Sequence, residues 1–95
     1  MKSVGIQISP EDNVVTLVDD VPPGATVQYM TAQGRQEVTT SNAIPFGHKI
    51  AVRDIRDGET VLKYNETIGR ASQAISRGEH VHVHNVESAV QGGGR

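Results

Sequence analysis

The chain has 95 residues, no cysteine and a formal net charge of −2, so it forms one small domain without disulfide bonds or thiolate chemistry. Its charges are scattered and only three side chains are aromatic, which disfavours nucleic-acid binding because that needs a basic face or a stacking platform. The N-terminal stretch lacks an apolar run long enough for a signal peptide or a membrane span, which predicts a cytoplasmic protein with no membrane partner.

The apolar residues are mostly β-branched. Val and Ile together supply twenty residues, whereas Leu17 and Leu62 are the two leucines. Such side chains lose rotamer freedom in helices and pack well on pleated sheets. With ten glycines and four prolines for turns, the composition predicts an all-β domain of short strands with glycine-rich turns, over residues 1–87. Residues 88–95, which contain three consecutive glycines, are predicted to form a flexible C-terminal tail.

The strands predicted from alternation and turn signals follow in chain order. Two of them form a hairpin about Gly34. The segment Glu66–Ile75 fits neither the helical nor the strand period well and is left unassigned. The predicted strands are Val4–Ile8, Val14–Val18, Thr26–Met30, Gln36–Thr40, Ile50–Ile55, Val61–Tyr64 and His80–Val86.

One spacing recurs three times along the chain: an apolar residue, two others, a glycine, two others and an apolar residue. It occurs at Val21–Val27, Ile55–Val61 and Ile75–Val81, and the last two copies also match more widely at an offset of twenty residues. Glycine supplies the positive φ that tight turns often need. The pattern therefore predicts a strand end, a turn and a new strand at each copy.

The segment GEHVHVHN places His80, His82 and His84 at alternate positions. On a continuous strand these three side chains share one face, and Val81 and Val83 take the other face toward the core. The histidines are then a metal site, a strip that handles substrate, or an exposed polar strand face. Imidazole titrates near neutrality and ligates metals, which favours function.

Strand geometry limits the metal site. Ligand nitrogens of a tetrahedral zinc ion lie only ~3.3 Å apart, whereas strand positions i and i+2 are about 6.7 Å apart and positions i and i+4 about 13 Å apart. Two adjacent histidines can converge on one ion, so a third ligand must come from elsewhere. His48 or a carboxylate of another chain is the candidate.

Two lysines are the remaining polar candidates. Lys49 follows a loop that begins with Gly47 and His48, and Lys63 ends a predicted strand before Tyr64. Either ammonium group can pair with the carboxylate of an acid substrate as a point charge, or be an ordinary surface lysine.

Residues 44–86 resemble the small SAF-type domain of the altronate dehydratase family. The family pattern is G-H-K-x-A, then I-x-x-G-x-x-V-x-K-Y, then I-G-x-A, then G-E-H-V-H-x-H-N. One departure is Asn65, where the family commonly has glycine; asparagine tolerates the same left-handed turn. The matching positions are Gly47, His48, Lys49, Ala51, Ile55, Gly58, Val61, Lys63, Tyr64, Ile68, Gly69, Ala71, Gly78, Glu79, His80, Val81, His82, His84 and Asn85.

The resemblance implies a compact β-clip fold and a role as the small subunit of a sugar-acid hydro-lyase, docked on a large catalytic subunit. It implies a divalent metal, iron or manganese, held mainly by the large subunit, with zinc as an option at the histidines. The alternatives are the alpha subunit of a sulfolactate sulfo-lyase, or a stand-alone SAF module that binds a small acid or a metal. The expected roles are catalysis for His48 and Lys49, substrate binding for Lys63, Tyr64 and Asn85, and metal binding for His80, His82 and His84.

Overall fold

The computed structural model describes residues 3–7 and 9–88, and it contains nine short strands. Within these residues there is no helix, and hence none that is long and apolar enough to cross a membrane. The all-β prediction is therefore confirmed. The strands are β1 Ser3–Ile6, β2 Val14–Thr16, β3 Thr26–Thr31, β4 Gly34–Thr39, β5 Lys49–Ala51, β6 Thr60–Lys63, β7 Glu66–Ala71, β8 His80–Val81 and β9 Val86–Glu87.

The strands form three sheets of three strands each. In the first sheet, β3 lies between β1, which is parallel to it, and β4, which is antiparallel. In the second sheet, β5 lies between β2 and β8, and both pairings are antiparallel. In the third sheet, β7 lies between β6 and β9, again with antiparallel pairing. The second sheet joins β5, which follows His48, to β8, which begins with His80.

The glycine corners are confirmed, and the structure contains a fourth copy at Ile44–Ile50. The first residue of each corner forms an isolated β-bridge with the first residue of another corner. The bridges pair Val21 with Ile44 and Ile55 with Ile75. The first and second corners thus face each other, as do the third and fourth. The corner glycines all have positive φ: Gly24, Gly47, Gly58 and Gly78.

The core has two parts, and β2 and β5 contribute to both. Val15 and Ile50 belong to one cluster of buried apolar side chains, whereas Val14 and Ala51 belong to the other. This division follows from the alternation of side chains on a strand, because successive residues point to opposite faces. The second sheet therefore lies between the two clusters and fixes their relative position.

The first part of the unassigned segment Glu66–Ile75 is strand β7, which ends at Ala71. It forms a hairpin with β6, and the two residues of the turn, Tyr64 and Asn65, have φ of 54° and 61°. Such a turn matches the twist of antiparallel strands. The buried carboxylate of Asp12 accepts hydrogen bonds from both turn amides, at 2.9 and 2.6 Å. Asn65 thus adopts the left-handed geometry expected where the family commonly has glycine.

The predicted strand His80–Val86 is wrong in extent. Strand β8 ends at Val81, and the chain then turns so that the amide of Asn85 donates to the carbonyl oxygen of His82 at 3.1 Å. Strand β9 begins at Val86. The expectation that Val83 faces the core is also wrong, because this side chain lies in the turn and is 80% exposed.

The other predicted strands are confirmed with small shifts at their ends. The hairpin about Gly34 joins β3 to β4, with Val27 opposite Val38. The predicted strand Ile50–Ile55 is shorter than expected, since β5 ends at Ala51 before the chain reaches the third corner. Ile8, the predicted end of β1, and residues 89–95 of the predicted tail lie outside the described residues.

Candidate metal and substrate site

Three of the four histidines converge where β5 meets β8. The two strands run antiparallel, with Lys49 opposite Val81 and Ile50 opposite His80. His48 immediately precedes β5 and His82 immediately follows β8, so the same register places these two residues opposite each other. Their rings stack with centroids 4.0 Å apart and an angle of 18° between the planes.

The third ring of the group is that of His80. Its centroid lies 5.1 Å from that of His48 and 5.6 Å from that of His82. Nδ1 of His48 and Nε2 of His80 are 2.9 Å apart, a hydrogen bond in which one imidazole donates its N–H and the other accepts. One ring nitrogen from each of the three residues lies within 4.8 Å of the others.

The three rings are close enough to share one ion, but they are nearly parallel, so they must rotate before their in-plane lone pairs converge on it. Nitrogens that ligate one tetrahedral zinc ion are ~3.3 Å apart, and three imidazoles are one of the ligand sets found in catalytic zinc sites. All three histidines are partly exposed, so a fourth ligand can reach the ion from solvent or from another polypeptide. The structure brings together His48, His80 and His82, and we call this group the histidine triad.

His84 lies beside the triad. Its ring is tilted by 42° to that of His80, with centroids 5.2 Å apart, and the side chain is exposed. The turn after β8 separates it from the other ligand atoms. Its predicted role as a ligand is therefore less favoured by the geometry than that of His48, which the sequence offered as the alternative third ligand.

Burial and mutual repulsion favour the neutral form of two members of the triad, His80 and His82. Desolvation lowers the pKa of His80, and the neighbouring His48, His84 and His82 lower it further. The pKa of His82 is lowered in the same way by desolvation and then by His48 and Lys49. Only a neutral imidazole can ligate a metal, so these shifts favour metal binding near neutral pH.

A pocket of about 350 Å³ opens beside the triad. The two predicted lysines, Lys49 and Lys63, both line this pocket together with His82 of the triad. Burial lowers the pKa of Lys49, and the positive charge of Lys63 lowers it further. The pocket is lined by Lys49, Lys63, Ile68, His82, Val83, Val86, Glu87 and Ser88.

Glu87 is a pocket residue that sequence reasoning missed. It lies on β9, opposite Arg70 of β7, and its Oε2 accepts a hydrogen bond from Nη2 of Arg70 at 2.8 Å. Sequence patterns do not reveal this residue, because they do not show that β7 is a strand that pairs with β9. The cation of Arg70 offsets the negative charge of Glu87, which leaves the two lysines as the dominant charges of the pocket.

The two remaining predicted residues lie elsewhere. Tyr64 is in the exposed hairpin turn with its ring 5.2 Å from Nζ of Lys63, and it does not line the pocket. Asn85 was predicted to bind substrate, but it is 1% exposed and its amide group bonds to the backbone of His80 and His82. The contacts of Asn85 are those of a residue that shapes the turn.

The chain is similar in sequence to a known domain family and to proteins of named activity. The sequence model of the altronate/galactarate dehydratase SAF-domain family matches residues 3–89. The chain is 45% identical over 76 residues to the (2R)-sulfolactate sulfo-lyase subunit alpha of Chromohalobacter salexigens, covering 78% of this chain and 81% of that protein. It is 40% identical over 88 residues to the altronate dehydratase of Bacillus subtilis and 37% over 83 residues to that of Escherichia coli. These matches cover 93% and 87% of this chain but only 17% and 16% of the two dehydratases.

Proposed function

Because the chain belongs to the altronate/galactarate dehydratase SAF-domain family, we propose that it is the small subunit of a lyase that removes water from a sugar acid. Similarity to a protein named as a subunit, over 81% of its length, supports an accessory role beside a larger polypeptide. The dehydratases match over 16–17% of their length, so most of their chain lies outside the region similar to this one. We place the complex in the cytoplasm, which fractionation of the native host tests.

The observation that carries the proposal is the position of Lys49 and Lys63 in one pocket with His82 of the triad. Elimination next to a carboxylate needs a base for the α-proton and stabilisation of the charge that then develops on the carboxylate. The ammonium of Lys63 pairs with that carboxylate. Burial and Lys63 lower the pKa of Lys49, which favours the neutral amine, the form that can act as a general base.

The donor set of the triad fits a divalent metal. Three imidazoles suit zinc or iron, whereas manganese prefers carboxylate and water ligands. His48, His80 and His82 would hold the ion, and a metal bound there supplies a Lewis acid for the departing hydroxyl group. The metal on which turnover depends, iron or manganese, is proposed to be held mainly by the large subunit, which faces the triad.

A sulfo-lyase is the second candidate function. The 45% identity to a sulfolactate sulfo-lyase subunit favours it. The pair of lysines suits a small acid with two anionic groups, a description that fits both sulfolactate and galactarate. Activity of the purified complex on altronate, galactarate and sulfolactate discriminates the two. Release of sulfite identifies the sulfo-lyase, and formation of a keto acid without sulfite identifies the hydro-lyase.

Separating and remixing the subunits tests the accessory role. The large partner is co-purified from the native host with a tagged form of this chain, and each subunit is then assayed alone and in the mixture. We expect activity from the mixture, and little from either subunit alone. Lys63→Gln should raise KM by up to about fivefold, the size of a partly exposed ion pair, whereas Arg35→Gln on β4, outside the pocket, should not change it. Full turnover by the large subunit alone would exclude a catalytic role for this chain.

A further inference from the structure

Asn85 clamps the backbone at the two ends of the His80–His82 segment. Its Nδ2 donates to the carbonyl oxygen of His80 at 2.9 Å, and its Oδ1 accepts from the amide of His82 at 2.9 Å. The backbone of Asn85 adds two bonds, since its amide donates to His82 and its carbonyl accepts from Ser72. The residue is 1% exposed, so no water competes for these bonds.

A second buried asparagine makes the same set of bonds at the preceding corner. Nδ2 of Asn13 donates to the carbonyl oxygen of Thr60 at 2.9 Å, and Oδ1 accepts from the amide of Leu62 at 2.8 Å. The backbone of Asn13 donates to Leu62 and accepts from Val52. Thr60, Leu62 and Val52 each lie twenty residues before the corresponding partner of Asn85. The two asparagines therefore do the same structural work, although they are far apart in sequence.

The two clamped segments differ in their side chains. At the third corner the residues are Thr60 and Leu62, whereas at the fourth corner the same positions hold His80 and His82, two members of the triad. We propose that Asn85 is the positioning residue of the histidine site, holding the rings of His80 and His82 against His48. The part of this proposal that concerns metal binding rests on the proposed function, but the part that concerns ring placement does not.

The need for such a residue follows from the turn after β8. His82 lies beyond the end of the strand, so its amide has no partner in the sheet, and Val83 and His84 after it are exposed. The bond to Asn85 supplies that partner and sets the direction in which the ring of His82 leaves the backbone. Without it, the 4.0 Å stack on His48 loses its support from the turn.

The matched variants Asn85→Ala and Asn13→Ala remove the same two side-chain bonds from equivalent corners. The first measurement is ¹⁵N NMR of the imidazole nitrogens, which reports the hydrogen bond between His48 and His80 and the tautomer of each ring. We expect Asn85→Ala to lose this signature and Asn13→Ala to keep it. If either alanine variant fails to fold, Asn85→Asp and Asn13→Asp keep the side-chain shape, replace the amide donor by an acceptor and add the same negative charge at both corners.

The second measurement is the affinity for Zn²⁺ alone, by calorimetric titration of the folded proteins. Removing a group that orients metal ligands typically weakens binding by 10–100-fold, so we expect a loss of about that size for Asn85→Ala and wild-type affinity for Asn13→Ala. If the wild-type chain does not bind zinc, a self-contained metal site is refuted and a site completed by a partner is favoured, and the imidazole signals decide the role of Asn85. Equal changes in both variants, or none in either, would overturn the proposal.

Discussion

Gly78 and Gly58 occupy the same place in two corners, yet alanine should be tolerated very differently at the two positions. Their φ angles are +95° and +86°, so an L-residue is strained at both. A Cβ atom at Gly58 would meet nothing within 4 Å, whereas one at Gly78 would lie 2.3 Å from the carbonyl oxygen of Thr39. That oxygen belongs to the backbone of β4 and cannot move aside by a rotamer change.

The difference can be expressed as a free energy of unfolding. Left-handed geometry costs an L-residue about 1–2 kcal/mol, and this cost applies to both variants. Forcing an atom into occupied space adds typically 1–3 kcal/mol, and this applies only to Gly78→Ala. We therefore expect losses of about 1–2 kcal/mol for Gly58→Ala and about 2–5 kcal/mol for Gly78→Ala.

Thermal and urea unfolding followed by circular dichroism measure these losses. In a domain of this size, 1 kcal/mol corresponds to roughly 4–8 °C in Tm, so the two variants should be clearly separated. Because the strain from φ is nearly the same at the two glycines, Gly58→Ala is the control for Gly78→Ala. Equal losses of stability would show that the fourth corner does not pack against Thr39 as described. The packing that holds the backbone of the corner just before His80 would then be absent.

Acidification from about pH 7.5 to 5.5 should lower the free energy of unfolding. The pKa values of His80 and His82 are lowered in the folded protein, so the unfolded chain binds more protons as the pH falls through about 6.5. Urea unfolding at each pH measures this loss, and the double variant His80→Gln with His82→Gln should show a smaller dependence on pH. Over the same range zinc affinity should fall, since the imidazoles must be neutral to ligate; unchanged affinity by calorimetry would argue against histidine ligands. Lys63→Gln should raise the pKa of Lys49 toward its usual value without restoring it fully, because burial is the larger cause of the shift; NMR titration of the lysine side chains would contradict the assigned cause if it found no change.

Much of the fold could be predicted because β-branched composition and the corner spacing are local signals. The spacing of Val or Ile around a glycine predicts three corners, and the structure confirms all three. The copy at Ile44–Ile50 has the same spacing and was overlooked, although it could have been found. Strand β7 could not, because Gly69 interrupts its pattern for a reason that is not local. A Cβ atom there would lie 2.5 Å from Cγ1 of Val86 and 2.7 Å from the carbonyl oxygen of Glu87, both on β9.

Sequence patterns singled out the histidines and lysines that the structure brings together, but not Glu87 and not the shape of the site. Alternation placed three histidines on one strand face, and ligand spacing required a partner such as His48. The turn that ends β8 after Val81 depends on the buried amide of Asn85, and neither its burial nor its partners can be read from sequence. The convergence of Lys49 and Lys63 likewise depends on strands from two different sheets.

The repeated corners explain how so small a domain can present several reactive groups without a deep interior. The bonds around each clamped segment join backbone to a buried asparagine, so they do not depend on which side chains the segment carries. Thr60 and Leu62 can therefore be replaced in the next repeat by His80 and His82 while the scaffold stays the same. The chemistry then sits on the outer edge of the second sheet, where the partly exposed rings and the lysine pocket face outward. A site built this way is open to solvent, which agrees with the proposal that a larger subunit completes it.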